Sequence, residues 1–189
     1  MTAREPLHTD RLILRRWRDG DRAPFAALNA DPAVMEHFPA RLSRAESDAL
    51  IDRADGRFDE FGYGLWALEV AATGEFIGFT GLQMPGLDAP FMPAVEIGWR
   101  LARSAWGNGY ASEAARRALA VGFDDIGLEQ IVSFTSTTNV RSQAVMARLG
   151  MTHDPADDFD HPRLPVDSPL RRHVLYRLSR EQYSVDSPH

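Results

Sequence analysis

Short apolar runs recur along the chain and predict most of its β-structure. The runs Leu65–Val70 and Phe76–Thr80 flank the turn Ala72–Gly74, which predicts a β-hairpin. Because such runs are short, rich in branched and aromatic residues and bounded by turn-forming residues, they favour strands over helices. The other predicted strands begin at Leu12 and cover Val95–Leu101, Gln130–Thr135 and His173–Leu178.

Capping residues predict helices between the first strand and the hairpin. Asp19 or Asp21 can cap a first short helix, and Asp31–Pro32 is expected to open another helical turn. Ser43 and Glu46 have the spacing of a capping box, which predicts a longer helix that reaches to about residue 60.

Two further helices are predicted after the fourth strand. The first has a face of small and apolar residues within Ala111–Gly122, with Ser112 and charged residues opposite, so it can lie close on a sheet. The second covers about Asn139–Leu149 and is closed by Gly150. The order β, α, α, β, β, β, α, β, α, β, β predicts an α/β (α+β) fold, in which a mixed sheet has helices on its faces.

The segment Trp106–Ala111 places Gly107 and Gly109 between a strand end and a helix start. A helix N-terminus carries unpaired N–H groups and a partial positive charge, and glycine lets an anion approach without a Cβ in the way. The pattern is consistent with a pyrophosphate site, and a tight turn without a ligand would also produce it. A dinucleotide-binding fingerprint is disfavoured, because Ser112 replaces its third Gly or Ala and Glu129 begins the next strand instead of ending it.

Composition narrows the possible chemistry. With 189 residues and a formal charge of −6, the chain is expected to form one domain over residues 1–189 and not to bind nucleic acid. It has no cysteine, which excludes a thiolate nucleophile and cysteine-ligated metals. All 21 basic residues are arginines, which excludes a lysine Schiff base and the lysine-containing phosphate loop. Because it has no apolar signal core and no span-length apolar run, a soluble, cytoplasmic protein that does not bind membranes is expected.

Several ordered motifs resemble one family. The stretches VEIGWRL (Val95–Leu101), WGNGYASEA (Trp106–Ala114) and NVRSQAVMARLGM (Asn139–Met151) are similar to the GNAT acetyltransferases. With TDRLILRRW (Thr9–Trp17), they resemble the branch that acetylates N-terminal amines of ribosomal proteins. The resemblance, over about residues 9–178, implies a mixed, mostly antiparallel, seven-stranded sheet flanked by helices. It also implies that the fourth and fifth strands are splayed.

The resemblance also implies acetyl-coenzyme A as the acetyl donor. The six scattered histidines lack the spacing of metal ligands, so no metal is expected. The donor's pyrophosphate would lie on N–H groups at the glycine turn, and its pantetheine arm would enter between the splayed strands. Tryptophan at position 106 replaces the Gln or Arg of the wider family and is usual for this branch. The positions implied for donor binding are Leu101, Arg103, Trp106, Gly107, Asn108, Gly109, Ala111, Asn139 and Ser142.

Two residues are candidates for proton transfer. By resemblance, Glu96 on the fourth strand accepts the proton of the amine, often through water; a strand carboxylate paired with an arginine is the alternative. Ser142 matches the donor that protonates the departing thiolate, because Met146 stands where many family members have a tyrosine. A serine that is merely small is the alternative for Ser142. Asn139 can hold the pantetheine or the carbonyl group, cap its helix, or do both.

The acceptor side is less defined by the sequence. Glu36 and His37 lie between the first helices, and Asp160 and His161 lie in a proline-rich loop before the last strand. All four are candidate substrate-binding residues, and surface polar residues without such a role are the alternative. Acidic side chains there would attract a cationic amine.

The resemblance predicts transfer of the acetyl group to a primary amine. A lysine amine has a reference pKa of ~10.4 and an α-amine one of ~7.8, so deprotonating them near neutrality differs by roughly 3.5 kcal/mol. A weak or water-mediated base therefore favours a protein N-terminal α-amine. The alternatives are a small amine, such as an aminoglycoside or a polyamine, and a module that binds acyl-coenzyme A without catalysis. A homodimer is also possible.

Overall fold

The computed structural model describes residues 5–186, which form nine strands and five α-helices. Single turns of 3-10 helix precede α1 and α3, and a π-helical turn, Val121–Asp125, follows α3. In chain order the elements are β1 (Leu7–His8), β2 (Leu12–Arg15), α1 (Arg22–Ala30), α2 (Arg44–Phe61), β3 (Leu65–Val70), β4 (Phe76–Gln83), β5 (Val95–Leu101), α3 (Tyr110–Ala120), β6 (Gln130–Ser136), α4 (Val140–Arg148), β7 (Thr152–His153), β8 (Phe159–Asp160), β9 (Arg172–Ser179) and α5 (Arg180–Asp186).

The strands form one sheet in the order β1-β2-β3-β4-β5-β6-β9-β7, with β8 also paired to β9. Every pairing is antiparallel except the parallel pair β5–β6. The mixed, mostly antiparallel sheet is thus confirmed. The two-residue strands β1 and β8 add to the seven strands that were expected.

The parallel strands β5 and β6 are the fourth and fifth strands of the sequence prediction. They are paired only at Val95–Ile131 and Glu96–Val132, although both strands continue for several residues. Beyond Glu96 the two strands therefore part, which confirms the expected splay.

Side chains take over some of the backbone bonds where the β5–β6 ladder ends. Ser133 Oγ donates to Ile97 O at 2.9 Å, and Trp106 Nε1 donates to Leu101 O at 2.9 Å. Because alternate residues of a strand direct their backbone groups to the same neighbour, the N–H and C=O of Trp99 also face the opening. Polar backbone groups of β5 thus line the gap between the strands.

One face of the sheet is covered by α3 through its smallest side chains. Ala114, Ala115 and Ala118 have no exposed surface, as their spacing predicts. Ser112, which was expected on the polar face, is buried instead. The reason is that α3 packs against β2, β4 and β5 together, so it buries more than one stripe.

The other face of the sheet is covered by α1 and α2. The ring of Phe25 on α1 lies 4.9 Å from that of Trp17 and 5.9 Å from that of Phe79 on β4. Aromatic rings at these separations attract one another beyond their burial, so the cluster fixes α1 on the strands.

Residues 31–43 form the loop that joins α1 to α2. Asp31 O accepts from the N–H of Met35 at 3.0 Å, so the expected helical turn forms, but no helix follows. The capping box of α2 is confirmed: Ser43 Oγ accepts from the N–H of Glu46, and Glu46 Oε2 accepts from the N–H of Ser43 at 2.7 Å.

A close backbone approach between β4 and β5 generates a stability prediction. Gly78 has φ of +134°, and a Cβ there would lie 2.2 Å from Arg100 O. We expect Gly78→Ala to lower the free energy of unfolding by more than ~2 kcal/mol. Alanine is strained at this φ, and its Cβ would clash with main-chain atoms that cannot move aside. Chemical denaturation measures this difference. In the control Gly56→Ala, on the open side of α2, nothing lies within 4 Å and a gain of up to ~1 kcal/mol is expected. Equal shifts in the two variants would contradict the prediction.

Candidate active site

A groove of about 900 Å³ opens where β5 and β6 part. Its walls are the end of β5, the turn before α3, the first turns of α3 and α4, and the α1–α2 loop. Seven of the nine residues predicted for donor binding line it, namely Leu101, Trp106, Gly107, Gly109, Ala111, Asn139 and Ser142.

The glycine turn presents an open helix N-terminus to this groove. Gly107 and Gly109 have φ of 78° and 79°, in the left-handed region that favours glycine. Gly109 is the N-cap of α3, and no side chain caps this end. The first helical bond runs from the N–H of Glu113 to Gly109 O at 3.1 Å, so the N–H groups before it have no partner within the helix. This geometry accepts an anionic group.

The other two residues predicted to bind the acetyl donor, Asn108 and Arg103, are not among the groove-lining residues. Asn108 Nδ2 donates to the carbonyl oxygens of Ala105 at 3.3 Å and Trp106 at 3.2 Å, and Asn108 O accepts from Arg11 Nη1 at 3.0 Å. Arg103 is exposed, and its O accepts from the N–H of Trp106 at 3.2 Å. Both residues therefore shape the turn.

Four arginines form a rim around the groove. The sequence did not reveal this rim. It consists of Arg11, Arg116, Arg141 and Arg148, and its members come from three distant segments. One rim carboxylate, Glu113, is held by Arg11 at 2.6 Å. Burial alone would raise the pKa of Glu113, but hydrogen bonds from Thr9 and Arg11 outweigh it and lower that pKa. The groove is therefore cationic in a chain of net charge −6.

Glu96 lies at the last position of β5 that is paired with β6, and its side chain is on the face of the sheet opposite α3. Its Oε2 accepts from Gln83 Nε2 on β4 at 3.0 Å, so its partner is an amide and not an arginine. Burial raises the pKa of Glu96 to about 7, and the bond from Gln83 opposes this rise. A carboxyl group with that pKa can accept a proton near neutral pH.

Asn139 and Ser142 lie together in the first turn of α4. Asn139 Oδ1 accepts from the N–H of Ser142 at 3.2 Å, and its Nδ2 donates to Thr135 Oγ1 at 2.9 Å, so Asn139 is a helix cap. No group within residues 5–186 is hydrogen-bonded to the Ser142 hydroxyl, which faces the groove. Met146, further along α4, is buried in the core instead.

The α1–α2 loop closes on the start of α4 through Glu36 and His37. Glu36 Oε2 accepts from Arg141 Nη2 at 2.9 Å, and the Arg141 guanidinium lies 4.5 Å from the centre of the Trp106 ring. His37 Nδ1 lies 3.3 Å from Thr138 Oγ1, and His37 lines the groove. The structure thus brings Glu36 and His37 to the groove mouth.

Asp160 and His161 are not brought to this groove. Asp160 is exposed and pairs with Arg171 at 3.3 Å and Arg172 at 3.4 Å, and the bond from Arg171 contributes most to lowering its pKa. The His161 ring lies 5.0 Å from that of His173, and burial lowers the pKa of both. These residues belong to a neighbouring cluster around β8 and β9.

Arg100 is a further groove residue that the sequence did not single out as functional. It lines the groove, and its guanidinium lies 4.0 Å from the centre of the Phe38 ring. Nη1 donates to Asn29 Oδ1 at 2.6 Å, whereas the enclosed Nε has no partner within residues 5–186. Burial lowers the pKa of Arg100 to about 10, so it remains a cation at neutral pH.

Within residues 5–186, no group of three or more His, Asp or Glu side chains could hold a metal ion. In the same part of the chain, the helices are too short or too polar to cross a membrane.

Comparisons with known proteins identify related chains. The sequence pattern of the family described as "Acetyltransferase (GNAT) domain" matches residues 11–152. The YkkB protein of Bacillus subtilis (strain 168) is 33% identical over 152 residues, which are 80% of this chain and 87% of that protein. The FsC-acetyl coenzyme A-N(2)-transacetylase of Aspergillus fumigatus is 30% identical over 190 residues, covering 96% of this chain and 79% of the relative.

A solved structure shows the same fold. The acetyltransferase from Agrobacterium tumefaciens str. C58 superposes with a TM-score of 0.73 at 28% identity, over 92% of this chain and 94% of the other.

The burial of Glu96 predicts a pH-dependent stability difference. Its folded-state pKa of about 7 exceeds the ~4.3 of an unfolded chain, so the folded state binds more protons between these values and loses stability as pH rises. We expect the stability of Glu96→Gln relative to the natural chain to increase by about 2.5 kcal/mol from pH 5 to pH 8. Chemical denaturation at both pH values measures it. The exposed control Glu75→Gln should show no such trend, and a pH-independent difference for Glu96→Gln would refute the assignment.

Proposed function

The chain belongs to the GNAT acetyltransferase family, and we propose that this acyltransferase moves the acetyl group of acetyl-coenzyme A to a primary α-amine, such as a protein N-terminus. The observation that carries the proposal is the arrangement along β5. An anion-accepting turn follows one end of this strand, and Glu96, with a pKa of about 7, lies where it parts from β6. Donor and acceptor would thus meet from opposite sides of the opening.

The groove fits a coenzyme A thioester. The N–H groups at the start of α3 and the arginine rim complement phosphates. The backbone of Trp99 and Leu101 offers hydrogen bonds to the amide groups of an extended arm. When bound, the thioester supplies an activated acyl carbonyl.

The chain's own residues would then handle the protons. Glu96 would take the proton that the amine loses as the C–N bond forms, directly or through water. Ser142, whose hydroxyl has no other partner within residues 5–186, would protonate the thiolate as the C–S bond breaks. Asn139 would hold the first turn of α4, and with it Ser142, in place.

The pKa of Glu96 favours an α-amine over a lysine amine. A base with a pKa of about 7 is matched to an amine of ~7.8, whereas a lysine amine of ~10.4 is almost wholly protonated at neutral pH. A small-molecule amine is the second candidate, because the relative from Aspergillus fumigatus is named for transacetylation at N(2) and covers 96% of this chain.

An acceptor panel tests the proposal. Peptides with a free α-amine, lysine peptides with a blocked N-terminus, a polyamine and an aminoglycoside are assayed for thiol release from acetyl-coenzyme A. At pH 7 we expect the free α-amine peptides to have the highest kcat/KM, rising with pH through about 7 as Glu96 ionises. Glu96→Gln should lose the part of the rise centred near pH 7 and keep the part near ~7.8 that reflects ionisation of the amine. Preference for the polyamine, the aminoglycoside or the blocked lysine peptides would refute the α-amine proposal.

Coenzyme binding at the glycine turn is tested by Gly109→Asp. The new carboxylate would lie beside Arg11, because a Cβ at Gly109 is 3.5 Å from Arg11 Nη2, and would occupy the anion position. We expect calorimetry to show coenzyme A bound at least ~10-fold more weakly, or about 1.4 kcal/mol. The control Gly74→Asp, at φ +71° in the β3–β4 turn, introduces similar backbone strain away from the groove and should bind normally. Normal affinity in Gly109→Asp would remove the turn from the proposal.

A further inference from the structure

Arg100 presents an unsatisfied cation inside the groove, and its role deepens the proposed function, on which this inference rests. Its guanidinium is covered by Phe38 of the α1–α2 loop and lies 5.6 Å from the Phe79 ring of β4. Asn29 accepts one of its N–H groups, but the enclosed Nε has no partner within residues 5–186. A buried donor is usually paired, so the fold leaves the hydrogen-bonding capacity of this guanidinium incompletely used.

No carboxylate of the chain neutralises Arg100 in the described part of the structure. Arg11 on the same groove is paired with Glu113, and Arg141 with Glu36. Glu96, which shares its strand face, is bonded to Gln83 instead. Because a half-buried cation without a counterion is less stable than a paired one, an anion that arrives with a ligand would compensate Arg100.

The position of Arg100 favours the acceptor as the source of that anion. Phosphates of the donor already have the N-terminus of α3 and the arginine rim. Arg100 shares with Glu96 the face of β5 opposite α3, because residues an even number apart point to the same side. Gly98 lies between them without a side chain, and Glu96 Oε1 lies 3.9 Å from the position that a Cβ at Gly98 would take, so the carboxyl group extends along the strand towards Arg100.

The spacing sets the shape of the acceptor. Four residues of extended strand separate Glu96 from Arg100, or about 13 Å between their Cα atoms. An acceptor with its amine at Glu96 and its anion at Arg100 therefore carries the two groups several bonds apart. Arginine binds carboxylates through its rigid fork of N–H groups, and Nη2 of Arg100 is the terminal nitrogen that has no partner within residues 5–186.

We propose that Arg100 is a specificity-determining residue that binds a carboxylate of the acceptor, so that the preferred substrate is a primary amine with a carboxylate several bonds away. Two sources offer this chemistry: a peptide with an acidic side chain at its first or second residue, and a small amino carboxylate.

Matched acceptor pairs test the proposal. One pair of peptides differs only in Glu or Gln at the second residue, another differs only in Glu or Gln at the first, and isoglutamine is compared with glutamine amide as the small-molecule pair. With the natural chain we expect the carboxylate member of at least one pair to have a kcat/KM roughly 10-fold or more higher, mainly through KM. The pair that shows the preference identifies the source.

Variants assign the preference to the side chain. In Arg100→Gln the ratio within each pair should fall to about one, and in Arg100→Lys part of the preference should remain, because a charge persists without the paired N–H groups. The exposed control Arg53→Gln on α2 should keep the full ratio. Should Arg100→Gln fail to fold, the natural chain and Arg100→Lys still decide the outcome.

Three results would overturn the inference. Equal use of both members of every pair by the natural chain would refute it and leave the proposed function standing. A preference that survives in Arg100→Gln, with weakened coenzyme A binding by calorimetry, would assign Arg100 to the donor. Tight coenzyme binding with no acetylation of any amine would refute the proposed function and this inference together.

Discussion

The parting of β5 from β6 after two residue pairs is the constraint on which the rest of the site depends. A parallel pair that continued to Leu101 would have consumed the backbone groups of Trp99 and filled the groove. Ser133 and Trp106 replace two of the missing ladder bonds with side-chain donors, so the opening does not leave those carbonyls unsatisfied. The small-residue face of α3 and the aromatic cluster beneath α1 hold the two sides of the sheet in place around the gap.

β5 forms one wall of the gap and also carries Glu96 and Arg100, two polar side chains that the fold does not fully satisfy. Burial works against the ionised form of Glu96 and against the cationic form of Arg100, and neither has an oppositely charged partner in the described structure. Both conditions oppose stability, and ionisable groups with shifted pKa values of this kind are common at functional sites. The rest of the core must supply the stability that these positions do not.

The sequence predicted the framework better than it predicted the site. Short apolar runs located the strands, the capping box located α2, and the small-residue face located α3. Each of these signals is carried by residues that are close in sequence. The glycine turn was recognisable for the same reason. Arg11, Arg116 and Arg148 meet only through the fold, and nothing local distinguishes them from solvent-facing arginines. Asp160 illustrates the converse: its loop position suggested an acceptor contact, but ion pairs with Arg171 and Arg172 hold it outside the groove.

The groove carries its positive charge on arginine alone. A lysine would be a primary amine, which a thioester could acylate and so deprive of its charge. A guanidinium is a poor nucleophile and stays protonated at physiological pH. In the proposed donor complex, the cations of the groove would therefore not compete with the acceptor for the acyl group.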